Sequence, residues 1–74
     1  MQIEVRLFAT LREGRFGSGR IELALPCPVR DLLPLLGIRE GEVFLCLVNG
    51  EHAGLDRTLA DRDVVALFPA VGGG

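Results

Sequence analysis

The arrangement of the sheet is decided by the stretch Val64-Val65-Ala66-Leu67-Phe68-Pro69, close to the end of a 74-residue chain. Its β-branched and aromatic residues predict a strand, which Pro69 ends because proline has no N–H to donate to a ladder. Near the other end, Gln2-Ile3-Glu4-Val5-Arg6-Leu7-Phe8 alternates apolar and polar residues, which predicts a strand with one buried face. In such a chain, the first and last strands can lie side by side at the centre of one sheet.

Three further elements are predicted between these strands. Residues 20–25 alternate again and form a second strand, residues 29–36 form a short helix that Gly37 ends, and residues 43–48 form an apolar strand. Residues 51–60, after the turn Asn49-Gly50, are expected to form a short irregular crossing. The helix has a buried stripe at helical spacing, formed by Val29, Leu32, Leu33 and Leu36. One helix on one face of a mixed sheet is an α+β arrangement.

The last strand has two alternative registers. In the first, Val65 and Leu67 face the helix, whereas Ala66 and Phe68 face outward on the same side as Phe8, an aromatic residue at a polar position of the first strand. In the second, Phe68 enters the core. We favour the first, because Val65 and Leu67 pack better on a helix than Ala66 does. Two exposed aromatic residues would then form a docking patch beside the end of the chain.

Composition argues against several classes of function. The net charge of −2 gives no basic footprint for nucleic acid, and no uncharged apolar run approaches the roughly 18 residues of a membrane span. Glu4 and Arg6 interrupt the first apolar stretch, so no signal peptide is predicted. Cys27 and Cys46 lack the spacing of a metal site; Cys46 is expected in the core and Cys27 in a loop. These features fit a reducing cytoplasm.

No conventional catalytic set or metal site is predicted. His52 is the single histidine and follows a turn, where an exposed polar residue is more common than a general base. Asp61 and Asp63 flank Arg62 in a tight turn, where carboxylates usually cap backbone amides. The glycines at the end of the chain have no following lysine or serine and do not form a phosphate loop.

The last residues, Ala70-Val71-Gly72-Gly73-Gly74, divide the chain into a domain of residues 1–69 and a flexible tail of residues 70–74. Glycine has no side chain, so such a tail can thread a narrow channel. A terminal carboxylate is a poor electrophile, but joined to AMP it becomes a mixed anhydride that a sulfur nucleophile can attack. Composition alone favours the simpler interpretation, an inert tail.

Three segments together resemble the MoaD/ThiS family of sulfur carriers, and within it the small subunits of molybdopterin synthase. They are Leu7-Phe8-Ala9-Thr10-Leu11-Arg12-Glu13, then Val48-Asn49-Gly50-Glu51, and the segment from Asp61 to Gly74 with its aspartate turn, Phe68-Pro69 and final glycines. The resemblance implies a β-grasp, or ubiquitin-like, fold, which agrees with the predicted order of elements.

The resemblance also implies the chemistry and the partners. An E1-like adenylyltransferase of the MoeB/ThiF kind would use ATP to adenylate the carboxylate of Gly74, with Gly73 as spacer. A cysteine desulfurase or rhodanese-like donor would convert it to a thiocarboxylate. The tail would then enter a MoaE-like large subunit and give sulfur to a pterin in molybdenum or tungsten cofactor synthesis. Such a carrier is not an enzyme by itself and binds no cofactor stably.

The same resemblance implies a partner-binding surface, formed by Phe8, His52, Phe68, Pro69, Val71 and Gly72. The chain departs from the family pattern at Pro34 in a shortened helix, at Ala70 where a second proline is common, and at Arg62 where glycine is common. These departures concern the choice of partner more than the carrier role. Alternatives with the same tail are a carrier for thiazole synthesis or tRNA thiolation, and a protein modifier joined to lysines; an inert β-grasp module is a third.

Overall fold

The computed structural model describes residues 1–24 and 26–70, and within them five strands form one mixed sheet. The strands are β1 (Gln2–Leu7), β2 (Ser18–Glu22), β3 (Leu45–Val48), β4 (Glu51–His52) and β5 (Val64–Phe68), in the order β2-β1-β5-β3-β4. β1 and β5 pair in parallel, and the other neighbours are antiparallel. The first and last strands therefore lie side by side at the centre, as predicted.

One face of the sheet is covered by the helical segment. A 3-10 helix, Val29–Asp31, leads into α1 (Leu32–Leu36), and Gly37 ends it in the left-handed conformation with φ of 70°. The amide of Ile38 donates to the carbonyl of Leu33 at 2.9 Å, a bond typical of a helix that ends on glycine. The predicted stripe of Val29, Leu32, Leu33 and Leu36 is buried, so the helix and its packing face are confirmed.

The core lies between this segment and the sheet. The register places Val5 opposite Val65 and Leu7 opposite Leu67, and all four side chains are almost completely buried. Burial of such side chains is worth about 1.5–3 kcal/mol each, which fixes the register of β5. The register with Val65 and Leu67 on the helix side is therefore confirmed, as is the α+β, β-grasp architecture. Cys46 also lies in the core, as predicted.

The structure corrects three boundaries. β2 occupies residues 18–22 instead of 20–25. β3 begins at Leu45, because the 3-10 helix Glu40–Glu42 closes with a bond from the amide of Val43 to the carbonyl of Glu40, and Phe44 then forms a bend. Residues 51–52 were expected to be irregular but form β4. Asn49 and Gly50 have φ of 53° and 83°, the conformation of a tight hairpin turn.

None of the helices within residues 1–24 and 26–70 has the length and apolar character needed to cross a bilayer.

Candidate functional site

On the face of the sheet opposite α1, the strand side chains of the described residues are half-buried or exposed, and we call it the open face. Register fixes which side chains point there, because paired residues share a face. One row across the sheet contains Arg6, Ala66, Leu47 and His52. In the next row Leu45 lies opposite Phe68, and Phe8 follows β1 on the same side. The open face is therefore apolar near the carboxyl end of β5.

Phe8 and Phe68 stack against each other on the open face, and we call them the aromatic pair. Their ring centroids are 4.3 Å apart and their planes differ by 11°. Phe8 remains 37% exposed and Phe68 is half-buried. A stacked pair contributes about 0.5–1.5 kcal/mol beyond its area burial. The predicted juxtaposition of the two aromatic residues is thus found, and enough of the pair is exposed to contact another molecule.

Local backbone structure holds Phe8 in this position. Its amide donates to the carbonyl of Leu67 at 3.2 Å, and its carbonyl accepts from the amide of Leu11 at 3.1 Å. The chain then turns through Ala9, whose φ of 51° is left-handed, into the 3-10 helix Ala9–Arg12, which the buried side chain of Leu11 anchors. Phe8 is therefore fixed between the end of β1 and a packed turn.

His52 lies on the same face, as an exposed residue of β4 opposite Leu47. Because Leu47 is in turn opposite Ala66 of β5, one strand separates the imidazole from the strand that carries Phe68. The structure therefore brings the predicted residue to the open face, at its edge, as a polar residue beside an apolar surface.

The remaining predicted residues follow β5. Pro69 is buried in the free protein, so its ring is part of the packing at the end of β5; its predicted role in partner binding stays a prediction. Val71, Gly72, Gly73 and Gly74 lie outside the described residues, so of the predicted tail of residues 70–74 the structure describes only Ala70, which is exposed.

Phe44 is an exposed aromatic residue at this end that sequence reasoning missed. Its side chain is 77% exposed, and its amide donates to the carbonyl of Phe68 at 2.8 Å. Its position inside an apolar run predicted a buried strand residue. The signal that could have identified it is the preceding Glu40-Gly41-Glu42 turn, which delays the start of the strand.

The aspartate turn is structural. Asp61 Oδ1 accepts from the amide of Gln2 at 2.7 Å, and Asp63 Oδ2 accepts from the amide of Ala60 at 2.8 Å. Asp63 Oδ1 also accepts from Asn49 Nδ2 at 2.9 Å. The predicted capping of backbone amides is confirmed. No group of three or more His, Cys, Asp or Glu side chains in the part of the chain that the structure describes could hold a metal ion.

Both thiols have a raised pKa in the folded protein. Burial raises the pKa of Cys46, and desolvation together with the nearby carboxylate of Asp31 raises the pKa of Cys27. A raised pKa reduces the thiolate fraction at neutral pH, and the thiolate is the reactive form.

The fold of the described residues is similar to that of several small proteins of known structure. SAMP1 from Haloferax volcanii has 30% sequence identity and a TM-score of 0.77, with 100% of each chain covered. A putative molybdopterin converting factor subunit 1 from Pyrococcus furiosus has 31% identity and a TM-score of 0.75, over 96% of this chain and 99% of its own.

A third similar structure is a complex of subunits 1 and 2 of the molybdopterin-converting factor from Helicobacter pylori. Its matched chain has 29% identity and a TM-score of 0.66, with 100% of both chains covered. No match was found among the curated proteins. The ThiS family model matches residues 5–74. A family match over nearly the whole sequence, joined to the shared β-grasp fold, shows that the chain belongs to the ThiS family.

Proposed function

We propose that the protein is a sulfur carrier whose folded body docks through the aromatic pair and whose Gly74 carboxylate accepts and delivers sulfur. The observation that carries the proposal is the stack of Phe8 on Phe68, which is the last residue of β5. The tail of residues 70–74 follows directly, so a partner that binds the aromatic pair is beside the start of the tail. Membership of the ThiS family supports the carrier role.

The chemistry takes place at the last carbon of the chain. The carboxylate of Gly74 attacks the α-phosphorus of ATP in an E1-like enzyme, and pyrophosphate leaves. Hydrosulfide then attacks the acyl carbon and displaces AMP, which leaves a thiocarboxylate. Where the sulfur comes as a persulfide on a cysteine desulfurase or rhodanese-like donor, the persulfide displaces AMP to form an acyl disulfide, and a thiol reductant cleaves its S–S bond to release the thiocarboxylate. Glycines at positions 72–74 let the backbone approach the catalytic groups of the partner. ATP is bound by the partner, so this chain needs no cofactor of its own.

We further propose that the acceptor is the pterin of molybdenum or tungsten cofactor synthesis, reached in a MoaE-like large subunit. The similarity to molybdopterin converting factor subunits from two organisms supports this choice. In this role the chain is a co-substrate and a non-catalytic subunit. Residues 1–69 form the docking body, Val71 and Gly72 contact the partner's channel, and Gly73 is the spacer. We place adenylation and sulfur transfer in the cytoplasm, where ATP is available.

Intact-mass spectrometry tests the carrier chemistry. The purified chain is incubated with an E1-like adenylyltransferase from the same genome, ATP and sulfide. We expect a mass gain equal to the difference between sulfur and oxygen, and no gain without ATP. A matched chain with one tryptophan appended after Gly74 should show no gain, because the bulky residue blocks the tip. Equal conversion of the extended chain would contradict the proposal.

A second function, covalent modification of other proteins through Gly74, is favoured by the similarity to SAMP1, described in one of its structures as a small archaeal modifier protein. Both functions begin with adenylation of Gly74 and differ in the nucleophile that attacks the adenylate. In the sulfur carrier the nucleophile is sulfur, and in the modifier it is a lysine amine of the target protein. The modifier function predicts a ladder of higher-mass adducts in cell extracts that survives boiling and thiol. A single free species under those conditions would contradict the modifier and leave the sulfur carrier.

A further inference from the structure

Arg62 occupies a backbone position that suits glycine better than any other residue. Its φ is 70°, in the left-handed region where a Cβ atom crowds the following carbonyl. The turn itself needs only backbone at this position, because the amide of Arg62 donates to the carbonyl of Gln2 at 2.7 Å. Glycine would keep that hydrogen bond without the strain, so the arginine side chain is not required by the turn.

The Arg62 side chain gains little from the rest of the molecule. It is 89% exposed, and its ion pair among residues 1–24 and 26–70 is a 3.8 Å approach to Asp61. An exposed pair at that distance contributes almost nothing to stability. Asp61 is also engaged elsewhere, since it caps the amide of Gln2. Strained positions that packing does not repay are concentrated at functional sites.

Arg62 belongs to a basic corner of the open face, which we define as Arg6, Arg20 and Arg62. Arg62 and Arg20 line one cleft of about 370 Å³ together with Gln2, Ile3 and Glu4. Glu4, which lies opposite Arg20 in the register, is already bonded to Nε of Arg6 at 2.6 Å. Arg20 forms no ion pair within the described part of the chain.

Charge in this region has the opposite sign to the whole chain. Three guanidinium groups of the basic corner face the carboxylates of Glu4 and Asp61, an excess of one positive charge, whereas the chain carries −2. Planar guanidinium groups bind carboxylates through paired hydrogen bonds. The carboxylate of Glu4 in the wall repels a multiply charged phosphate more strongly than a singly charged carboxylate.

We propose that Arg62, together with Arg20, binds a surface carboxylate of the E1-like activating enzyme and determines which enzyme accepts this carrier. The inference rests on the proposed function. The activating enzyme is the partner that both candidate functions require. Its docking surface then combines an apolar area for the aromatic pair with an Asp or Glu side chain for the cleft, both on the open face.

Kinetics of ATP–pyrophosphate exchange, measured against carrier concentration, test this contact. Arg62→Gly should raise KM for the carrier about threefold to tenfold and leave kcat unchanged, as expected for a solvent-accessible charge at the rim of an interface. The same variant should be as stable as the wild type or melt up to about 5 °C higher, because it relieves the left-handed strain. Arg62→Ala should raise KM equally without the gain in melting temperature.

Arg39→Gln is the matched control, since this arginine is 90% exposed, lies after α1 and does not line the cleft; the KM of this variant should equal that of the wild type. High salt should reduce the difference in KM between the wild type and Arg62→Gly, because salt screens the charge of the arginine. If the wild type is active, an unchanged KM for Arg62→Gly would overturn the inference. A melting temperature of Arg62→Gly below that of the wild type would also overturn it. A wild type that supports no exchange at all would instead overturn the proposed function.

Small anions are the alternative occupant of the cleft. Inorganic phosphate and ATP, titrated separately into the carrier alone, should leave the NMR signals of Arg20 and Arg62 unchanged at millimolar concentrations. Saturable shifts that disappear in Arg62→Gly would show a phosphate site and overturn the assignment to a protein carboxylate.

Discussion

At the scale of the residue, the aromatic pair depends on where one strand ends. Phe8 follows β1 and is held by bonds to Leu67 and Leu11, so its ring can lie on Phe68 without entering the core. The alternation of the first strand already marked Phe8 as out of pattern, because an aromatic residue stood at an outward position. The sequence predicted that the two aromatic residues share the outward face, but it could not predict that their rings stack, since the stacking geometry depends on the backbone that positions Phe8 after β1.

Phe8→Ala tests the aromatic pair. The substitution should lower the free energy of unfolding by only about 1–2 kcal/mol, because the ring is partly exposed and loses mainly the stack. It should raise KM for the carrier in the exchange assay at least tenfold. Leu35→Ala is the matched control, since Leu35 is 62% exposed on α1 and away from the open face. Equal effects of the two variants on KM would contradict docking through the pair.

Thiol reactivity is a second test at this scale. Because the pKa values of Cys27 and Cys46 are raised above the ordinary value of 9.0, iodoacetamide should modify the folded chain slowly at pH 7. The rate should increase only as the pH approaches and passes that value. Mass spectrometry of timed samples measures it, with the unfolded chain in urea as reference. Rapid labelling of the folded chain at pH 7 would contradict the expected protonation.

At the scale of the element, two polar links hold the strands and helix in place. Asn49 accepts from the amide of Val64 at 2.9 Å through Oδ1 and donates to Asp63 through Nδ2, which ties the β3–β4 turn to the start of β5. Arg15 ties the β1–β2 loop to the end of α1, because its guanidinium donates to the carbonyls of Leu11, Leu36 and Gly37.

A pair of substitutions at Asn49 separates backbone strain from side-chain bonding. Asn49→Gly loses the side-chain hydrogen bonds but suits a φ of 53°. It should therefore lower the free energy of unfolding by about 1 kcal/mol. Asn49→Ala loses the bonds and adds left-handed strain, which should raise the cost to about 2–3 kcal/mol. Urea denaturation measures both. An alanine variant as stable as the glycine variant would contradict the assigned strain.

Arg15→Ala should lower the free energy of unfolding by about 1–2 kcal/mol, because three carbonyls lose a charged donor. Arg39→Ala, which removes an exposed arginine beyond α1, should leave it nearly unchanged. Hydrogen exchange should also become faster at the amides of Gly37 and Ile38 in the Arg15 variant only. Equal protection of these amides in both variants would show that the guanidinium does not hold the helix end.

The elements that sequence predicted correctly have strong periodicity. The alternation of β1 and the helical stripe from Val29 to Leu36 each bury one complete face, so tertiary packing agrees with the local pattern. β4 was missed because two residues, Glu51 and His52, show no periodicity and depend on the hairpin turn. Phe44 was misplaced because an apolar run does not reveal where a preceding turn stops.

At the scale of the whole molecule, the two faces of one sheet have different roles, stability on one side and partner binding on the other. Its helix side forms the core, and its open face has an aromatic pair at the end of β5 and a basic corner near the start of that strand. The family and the fold were predictable from the sequence, because the anchor segments span nearly the whole chain. The partner was not predictable, since it depends on how exposed side chains from separate strands combine. The sequence marks Arg62 as a departure from the family pattern, but its left-handed strain is visible only in the backbone conformation.

The central claim is that sulfur is carried at the tip of the chain. Tandem mass spectrometry of the protein after incubation with ATP, the activating enzyme and a sulfur donor tests it most directly, because the fragments locate the added sulfur. We predict an exchange of one oxygen for sulfur, confined to the C-terminal fragment that contains Gly74. Sulfur added as a persulfide on Cys27 or Cys46, with Gly74 unchanged, would contradict the account.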